Sequence, residues 1–160
     1  MFSGDEITAL LSDLGVTHVV WLPDSALGPW EAPLESSAEL TLVRVCREGE
    51  AWPLAAGLQI GGQRPVVAMQ VTGLFESGDA LRNIFFDMKV PLFAIIGLRS
   101  WLNAGARDSA KTYALPILDA WGINYELIES AEDKPKLAEQ FRRFEQTGDP
   151  TAILIAEGRL

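Results

Sequence analysis

The chain has 160 residues, 48% of them hydrophobic and 22% charged, and its formal net charge is −9. This composition excludes the disordered class and is typical of a globular domain that can bury a core. The acidic balance argues against nucleic acid as the main partner, because phosphate contacts need clustered Lys and Arg. The single cysteine, Cys46, excludes a disulfide within the chain and favours a reducing, cytoplasmic location. We expect neither a signal peptide nor a membrane span.

Strand-type and helix-type patterns alternate along the whole sequence. Apolar, β-branched runs predict strands over 17–22, 40–45, 65–70, 91–96, 124–128 and 151–156. Amphipathic spacing predicts helices over 3–14, 48–61, 77–88, 110–121 and 132–146, with a loop and one short helix over 26–37. Because strands and helices alternate, we predict an α/β fold: a three-layer sandwich with a six-stranded, mostly parallel sheet. We expect one domain over residues 1–160.

Three of the helices permit finer predictions. Ser3 and Glu6 have the spacing of a capping box at the start of the first helix. The helix over 132–146 is highly charged, and we expect it to be exposed. The residues of the second long helix expected to face inward are Ala51, Leu54, Ala55 and Leu58.

Glu48 stands at a junction between a predicted strand and a predicted helix. The next strand ends in Thr72-Gly73-Leu74, which we interpret as a glycine turn. Ligands of open α/β sheets bind at the carboxyl ends of strands, so both stretches are candidates for one site. Enclosure of the Glu48 carboxyl by Trp52 and Ala55 would favour a shared proton. The alternative is that Glu48 is a first-turn acid that is favoured by the helix dipole.

Motifs of several common enzyme classes are missing. The sequence has no Walker A loop, no Gly-x-Gly-x-x-Gly after the first strand and no Gly-x-Ser-x-Gly elbow. It also has no Cys/His cluster with the spacing of metal ligands. The residues alone therefore predict an α/β domain with a candidate carboxylate at a strand end.

Four segments in order resemble a known family. Arg47-Glu48 with Gly57, Pro65 and then 72–74 resembles the pyrimidine-binding domain of thiamine-diphosphate enzymes. The other segments, Leu22-Pro23-Asp24-Ser25, Met69-Gln70-Val71-Thr72-Gly73-Leu74 and Ile95-Ile96-Gly97-Leu98-Arg99, are similar to those of phosphonopyruvate and sulfopyruvate decarboxylases. The resemblance covers essentially the whole chain.

The resemblance implies a cofactor, a partner and a role for Glu48. The cofactor is thiamine diphosphate, and a glutamate bonded to its aminopyrimidine ring promotes loss of the thiazolium proton. The position of that glutamate matches Glu48, and Thr72, Gly73 and Leu74 would line the pyrimidine site. The Gly-Asp-Gly motif that holds Mg²⁺ and the diphosphate is absent from the sequence. The resemblance therefore implies a hetero-oligomer in which a second subunit binds Mg²⁺.

Three further residues are candidates for substrate contact. Asp24 matches an acid near the substrate, but it also suits a turn that precedes a helix. Arg99 would meet an anionic group, or else is a solvated loop arginine. Phe75 and Glu76 stand where glycine and asparagine are usual in the resembling decarboxylases, and Val71 replaces an amide. These changes favour a 2-oxo acid with an apolar tail, or a carboligation, over a sulfonate or phosphonate substrate.

Two other functions stay open at this point. The chain could be a pyrimidine-domain-like scaffold or regulatory subunit without catalysis, or a flavodoxin-like nucleotide-binding domain, which the missing phosphate loop disfavours. We also predict an exposed aromatic face for a partner. Its members would be Trp21, Trp30, Trp52, Phe75, Phe85 and Phe86.

Overall fold

The computed structural model describes residues 2–157 and contains a six-stranded sheet in which every strand pair is parallel. The strands are β1 His18–Trp21, β2 Thr41–Arg44, β3 Pro65–Gln70, β4 Phe93–Leu98, β5 Asn124–Ile128 and β6 Thr151–Ala156. Their order across the sheet is β2-β1-β3-β4-β6-β5. The predicted α/β fold with a parallel sheet is confirmed.

Seven α-helices flank the strands within the described residues. They are α1 Gly4–Asp13, α2 Glu31–Ser36, α3 Glu48–Ile60, α4 Val71–Glu76, α5 Gly78–Arg82, α6 Ser109–Ala120 and α7 Pro135–Thr147. A 3₁₀ turn, Gly28–Trp30, precedes α2, and a π-helical turn, Asn83–Asp87, follows α5. The predicted capping box of α1 is present, because Glu6 Oε2 accepts from Ser3 N and Ser3 Oγ accepts from Glu6 N.

The sheet separates two hydrophobic cores, which makes the fold a three-layer sandwich. Successive side chains of a strand point to opposite faces. Val67 and Met69 of β3 pack with α3, α4 and α6 in what we call the α3 core. Val66 and Ala68 pack with α1 and α7 on the other face, in the α7 core. Burial on both faces explains the continuous apolar character of β3 and β4.

One prediction about a helix face is wrong, and another fails at a single residue. Helix α7 is not exposed all round, because it buries Leu137, Phe141 and Phe144 in the α7 core. Among the α3 residues predicted to face inward, only Leu54 is exposed, at 39%; the others, Ala51, Ala55 and Leu58, are buried or pack on the α3 core. The high charge of α7 belongs to its outer face alone.

The predicted glycine turn after β3 is also wrong. The chain passes from Gln70 directly into α4, so that Gly73 is helical. The helix predicted over 77–88 is not one continuous α-helix. Helix α4 ends just before it at Glu76, α5 covers Gly78–Arg82, and Asn83–Asp87 is π-helical. The sequence suggested that Gly73 forms a turn, whereas the close approach of another side chain is what requires a glycine there.

Most of the predicted aromatic face is buried. Trp21, Trp30, Trp52 and Phe85 are at most 6% exposed, whereas Phe86 is 42% exposed. Each buried indole N–H has an acceptor, which removes the cost of burial. These acceptors are the carboxylate of Asp24, the backbone oxygen of Phe2 and the hydroxyl of Ser77. The six aromatic residues therefore do not form a docking surface.

Between residues 2 and 157, no helix has both the length and the apolar character needed to cross a bilayer.

We predict that Phe93→Ala lowers the free energy of unfolding by about 3–5 kcal/mol, the usual cost of emptying a buried aromatic site. Phe93 is fully buried, and its ring lies 5.0 Å from that of Phe141 and 5.7 Å from that of Phe144. Urea unfolding measures the change. Tyr113→Ala is the control, since Tyr113 is 60% exposed. Equal effects of the two substitutions would contradict the described packing.

Candidate active site

The carboxyl ends of four neighbouring strands meet at one edge of the sheet. Trp21 at the end of β1 pairs with Arg44 at the end of β2, and Gln70 at the end of β3 pairs with Gly97 in β4. Every predicted site residue lies in a segment that follows one of these strand ends. The parallel sheet therefore gathers these segments at the edge where ligands of such folds bind.

Glu48 and Gly73 are in close contact at this edge. A Cβ atom built on Gly73 would lie 2.5 Å from Cγ and 2.7 Å from Oε1 of Glu48. No real Cβ tolerates such distances, so the Glu48 side chain lies on a part of α4 that only glycine leaves open. The structure thus brings together the two stretches that the sequence placed at neighbouring strand ends.

Two glutamates beside Glu48 are fully engaged. Glu50 Oε2 accepts from Cys46 N at 2.9 Å and from Arg47 N at 3.3 Å. Glu76 Oε1 accepts from Arg47 Nε at 3.0 Å, and Glu76 Oε2 accepts from Gly49 N at 2.8 Å. The Arg47 guanidinium and the Gly49 amide lower the pKa of Glu76, so this carboxyl is held in its charged form. The acidic character that Glu76 adds to the site is thereby neutralised by Arg47.

Glu48 differs from both neighbours. Within the part of the chain that the structure describes, its carboxylate has no hydrogen-bond or ion-pair partner. It is half-buried, whereas Trp52 and Ala55 of the same helix are at most 1% exposed. The carboxyl of Glu48 is therefore not completely enclosed, in contrast to the enclosure that we expected.

Asp24 and Arg99 have intramolecular partners. Asp24 Oδ1 accepts from the backbone N–H groups of Ala26 and Leu27 at 2.8 and 2.9 Å, and Oδ2 accepts from the Trp21 indole. These bonds favour the turn-forming role that the sequence left open. Arg99 Nε donates to Asp108 at 3.0 Å and lowers the pKa of that carboxyl.

The other predicted residues differ in how far they reach the surface. Thr72 is half-buried, and Phe75 is half-buried and packs on the α3 core. Leu74 is fully buried, so its side chain supports the site from below.

Among residues 2–157, no group of three or more His, Cys, Asp or Glu side chains is arranged to hold a metal ion.

Sequence reasoning did not single out Gln70. Its Oε1 is buried and has no hydrogen-bond partner among the described residues. Such an orphaned acceptor is costly unless a ligand or water satisfies it. Gln70 ends β3 and directly precedes α4, which places it at the same edge as Glu48. The signal in the sequence was a polar residue that ends an otherwise apolar strand.

We predict that Gly73→Ala lowers the free energy of unfolding by about 1–3 kcal/mol, because its methyl group would displace Glu48. The penalty should nearly vanish in a Glu48→Ala background, since the two substitutions act on one contact. Urea unfolding of the single and double variants measures the coupling.

Gly57→Ala is the matched control for this cycle. Gly57 lies in α3, and a Cβ atom at that position would have nothing within 4 Å. Its substitution should stabilise the helix by about 0.5–1 kcal/mol. Additive effects of the substitutions at 73 and 48 would show that the two residues do not touch.

Relatives of known name match most of the chain, although no protein-family model matches it. The chain is 32% identical over 115 residues to the phosphonopyruvate decarboxylase of Streptomyces hygroscopicus, which covers 72% of this chain. The enzyme of that name from Streptomyces viridochromogenes is 27% identical over 139 residues, 84% of this chain. The sulfopyruvate decarboxylase of Methanosarcina acetivorans is 29% identical over 97 residues, 59% of this chain. Each match spans only part of the relative's own length: 28% of the S. hygroscopicus protein, 34% of the S. viridochromogenes protein and 25% of the M. acetivorans protein.

Solved structures have the same fold. Benzoylformate decarboxylase from Polynucleobacter necessarius superposes with a TM-score of 0.76 at 21% identity, over 100% of this chain and 31% of its own. A protein of Mycobacterium smegmatis assigned as a thiamine-diphosphate-dependent enzyme gives 0.75 at 18% identity, over 98% and 31%. The resemblance found in the sequence is thus confirmed: the chain is a homologue of part of the phosphonopyruvate and sulfopyruvate decarboxylases, with the fold of a domain of thiamine-diphosphate enzymes.

Proposed function

We propose that this chain is the pyrimidine-binding part of a thiamine-diphosphate-dependent 2-oxo-acid decarboxylase or carboligase, with Glu48 as the activating acid. One observation carries the proposal: the carboxylate of Glu48 forms no hydrogen bond or ion pair among the described residues and is held against Gly73 at the ligand-binding edge. The names of the relatives support the reaction class.

The residues at this edge fit an aminopyrimidine ring. Such a ring is flat and carries nitrogen donors and acceptors on its rim. Gly73 leaves room for the Glu48 side chain at this edge, and the carboxyl of Glu48 can meet a ring nitrogen. The orphaned Oε1 of Gln70 offers a further acceptor for an N–H group. Thiamine diphosphate, when bound, supplies a nucleophilic carbon for addition to a 2-oxo acid.

Glu48 would hold or share a proton at its carboxyl group. Glu48 is half-buried, which leaves its carboxyl reachable while part of the side chain is kept from water. A positioned acid of this kind is effective when the ligand covers its open side, because proton sharing strengthens in a dry site. Glu50 is less suited to the role, because its carboxylate already accepts from the backbone N–H groups of Cys46 and Arg47.

The remaining site residues would shape the substrate pocket. Phe75 brings a half-buried ring next to Leu74 and Gly73, and we propose that it limits the tail of the 2-oxo acid to apolar groups. Arg99 is 43% exposed and keeps donors free beyond its bond to Asp108, so it can meet a carboxylate. Asp24 would contribute mainly by shaping the turn between β1 and α2.

We further propose that a second subunit binds the diphosphate through Mg²⁺ and completes the site in a hetero-oligomer. The chain spans at most 34% of each of its three relatives, which leaves room there for a further domain. The open side of Glu48 is consistent with a site closed by a second wall. The exposed free thiol of Cys46 supports a reducing, cytoplasmic location.

We predict that Glu48→Gln lowers kcat of the assembled enzyme by a factor of about 10²–10⁴, the range for a positioned proton-transfer group. Steady-state kinetics with a 2-oxo acid measures the loss. Glu139→Gln, the same chemical change on the exposed face of α7, is the control and should be fully active. A fully active Glu48→Gln variant would favour the scaffold function instead.

We also predict that this chain alone binds thiamine diphosphate only weakly, even with Mg²⁺, because it holds one end of the cofactor. Titration calorimetry with the purified chain tests this expectation, and addition of the diphosphate-binding subunit should restore tight binding. Tight, Mg²⁺-dependent binding without any second polypeptide would contradict the division of the site between subunits.

A further inference from the structure

We infer that Glu76 is a positioning residue for Glu48, an inference that rests on the proposed role of Glu48 as the activating acid. Glu76 bonds to both chain neighbours of Glu48. One of its oxygens accepts from the Arg47 guanidinium, and the other accepts from the Gly49 amide at 2.8 Å. Glu76 therefore holds the backbone N–H of the residue after Glu48 and the side chain of the residue before it.

Helix α4 contacts the start of α3 at two separate points. Gly73 supports the side chain of Glu48, and Glu76, the last residue of α4, bonds to the Gly49 amide and to the Arg47 guanidinium. The spacing of these residues puts both on one short helix that follows β3 without a loop. Two contacts from one rigid element fix the distance and the direction of the carboxyl group, whereas one contact would leave it free to swing.

The contacts of Glu76 are better suited to orientation than to stability. Arg47 is 73% exposed and Glu76 is 31% exposed, and ion pairs in such positions contribute little to folding. The bond to Gly49 is directional, because a charged acceptor meets an N–H group in the first turn of α3 that has no acceptor within the helix. Loss of Glu76 should therefore disturb the site more than it disturbs the fold.

Two substitutions at Glu76, tested in the assembled enzyme, distinguish its bond to the Gly49 amide from its bond to the Arg47 guanidinium. Glu76→Ala removes both bonds, and we expect kcat to fall by a factor on the order of 10–100, because a misplacement near 1 Å has effects of that size. The KM for the 2-oxo acid and the melting temperature should change little. Glu76→Gln keeps an oxygen for the Gly49 amide and should retain most of the activity.

Hydrogen exchange of the Gly49 amide gives a readout apart from activity. Exchange should be faster in Glu76→Ala than in the native protein, and near native in Glu76→Gln. Asp79→Ala is the matched control, since Asp79 is an exposed carboxylate of α5 that bonds to Arg82 and Asn83 and, among the described residues, forms no hydrogen bond to α3. It should leave both kcat and Gly49 exchange unchanged.

The double variant Glu48→Gln/Glu76→Ala decides whether Glu76 acts through Glu48. We expect its kcat to be no lower than that of Glu48→Gln alone. The carboxylic acid that Glu76 would position is already absent from Glu48→Gln, so the loss of Glu76 has no further effect on kcat. Full activity of Glu76→Ala beside an impaired Glu48→Gln, or losses that multiply in the double variant, would overturn the inference and leave the proposed function standing. A fully active Glu48→Gln variant would instead remove the proposed function, and the inference with it.

Discussion

The contact between Glu48 and Gly73 is the constraint on which the rest of the site depends. A carboxyl group can lie at this point only because position 73 has no Cβ and α4 begins directly at the end of β3. The bond of the Trp52 indole to the Ser77 hydroxyl, at 2.8 Å, ties α3 to the end of α4 below that point. Trp52, one helical turn after Glu48, is 1% exposed and packs in the α3 core.

Three glutamates near the start of α3 have two different roles: two of them bond to backbone N–H groups, and the third is left available for a ligand. Glu76 accepts from the Gly49 N–H in the first turn of α3, and Glu50 accepts from the N–H groups of Cys46 and Arg47 just before that turn. Because those groups are already satisfied, Glu48 is not drawn into capping, and its carboxylate stays available for a ligand. Glu48 is itself a first-turn acid of α3, together with Glu50, so the helix dipole favours both carboxylates. The function proposed here follows from this division.

The sequence predicted the sheet well because the pattern is local. Apolar runs such as Pro65–Gln70 and Thr151–Ala156 were bounded by turn residues, and their strands have the predicted limits. The strand-end position of Glu48 followed from the alternation of strands and helices. These features depend on neighbours in the chain, which a single sequence displays.

Tertiary contacts explain what the sequence could not predict. Gly73 is helical and lies against the side chain of Glu48, and a glycine alone does not distinguish this from a turn. Trp21 and Trp52 were expected on the surface, but they are buried because Asp24 and Ser77 accept their N–H groups. The pairing of Arg47 with Glu76 joins residues 29 positions apart and likewise leaves no local pattern.

The most direct test of the central claim is a crystal structure of this chain with its diphosphate-binding subunit and thiamine diphosphate. We expect an oxygen of the Glu48 carboxyl within hydrogen-bond distance, about 2.6–3.2 Å, of a nitrogen of the aminopyrimidine ring. The backbone at Gly73 should lie against the same ring. A cofactor ring bound elsewhere, with Glu48 facing solvent or a protein cation, would contradict the proposed role of Glu48.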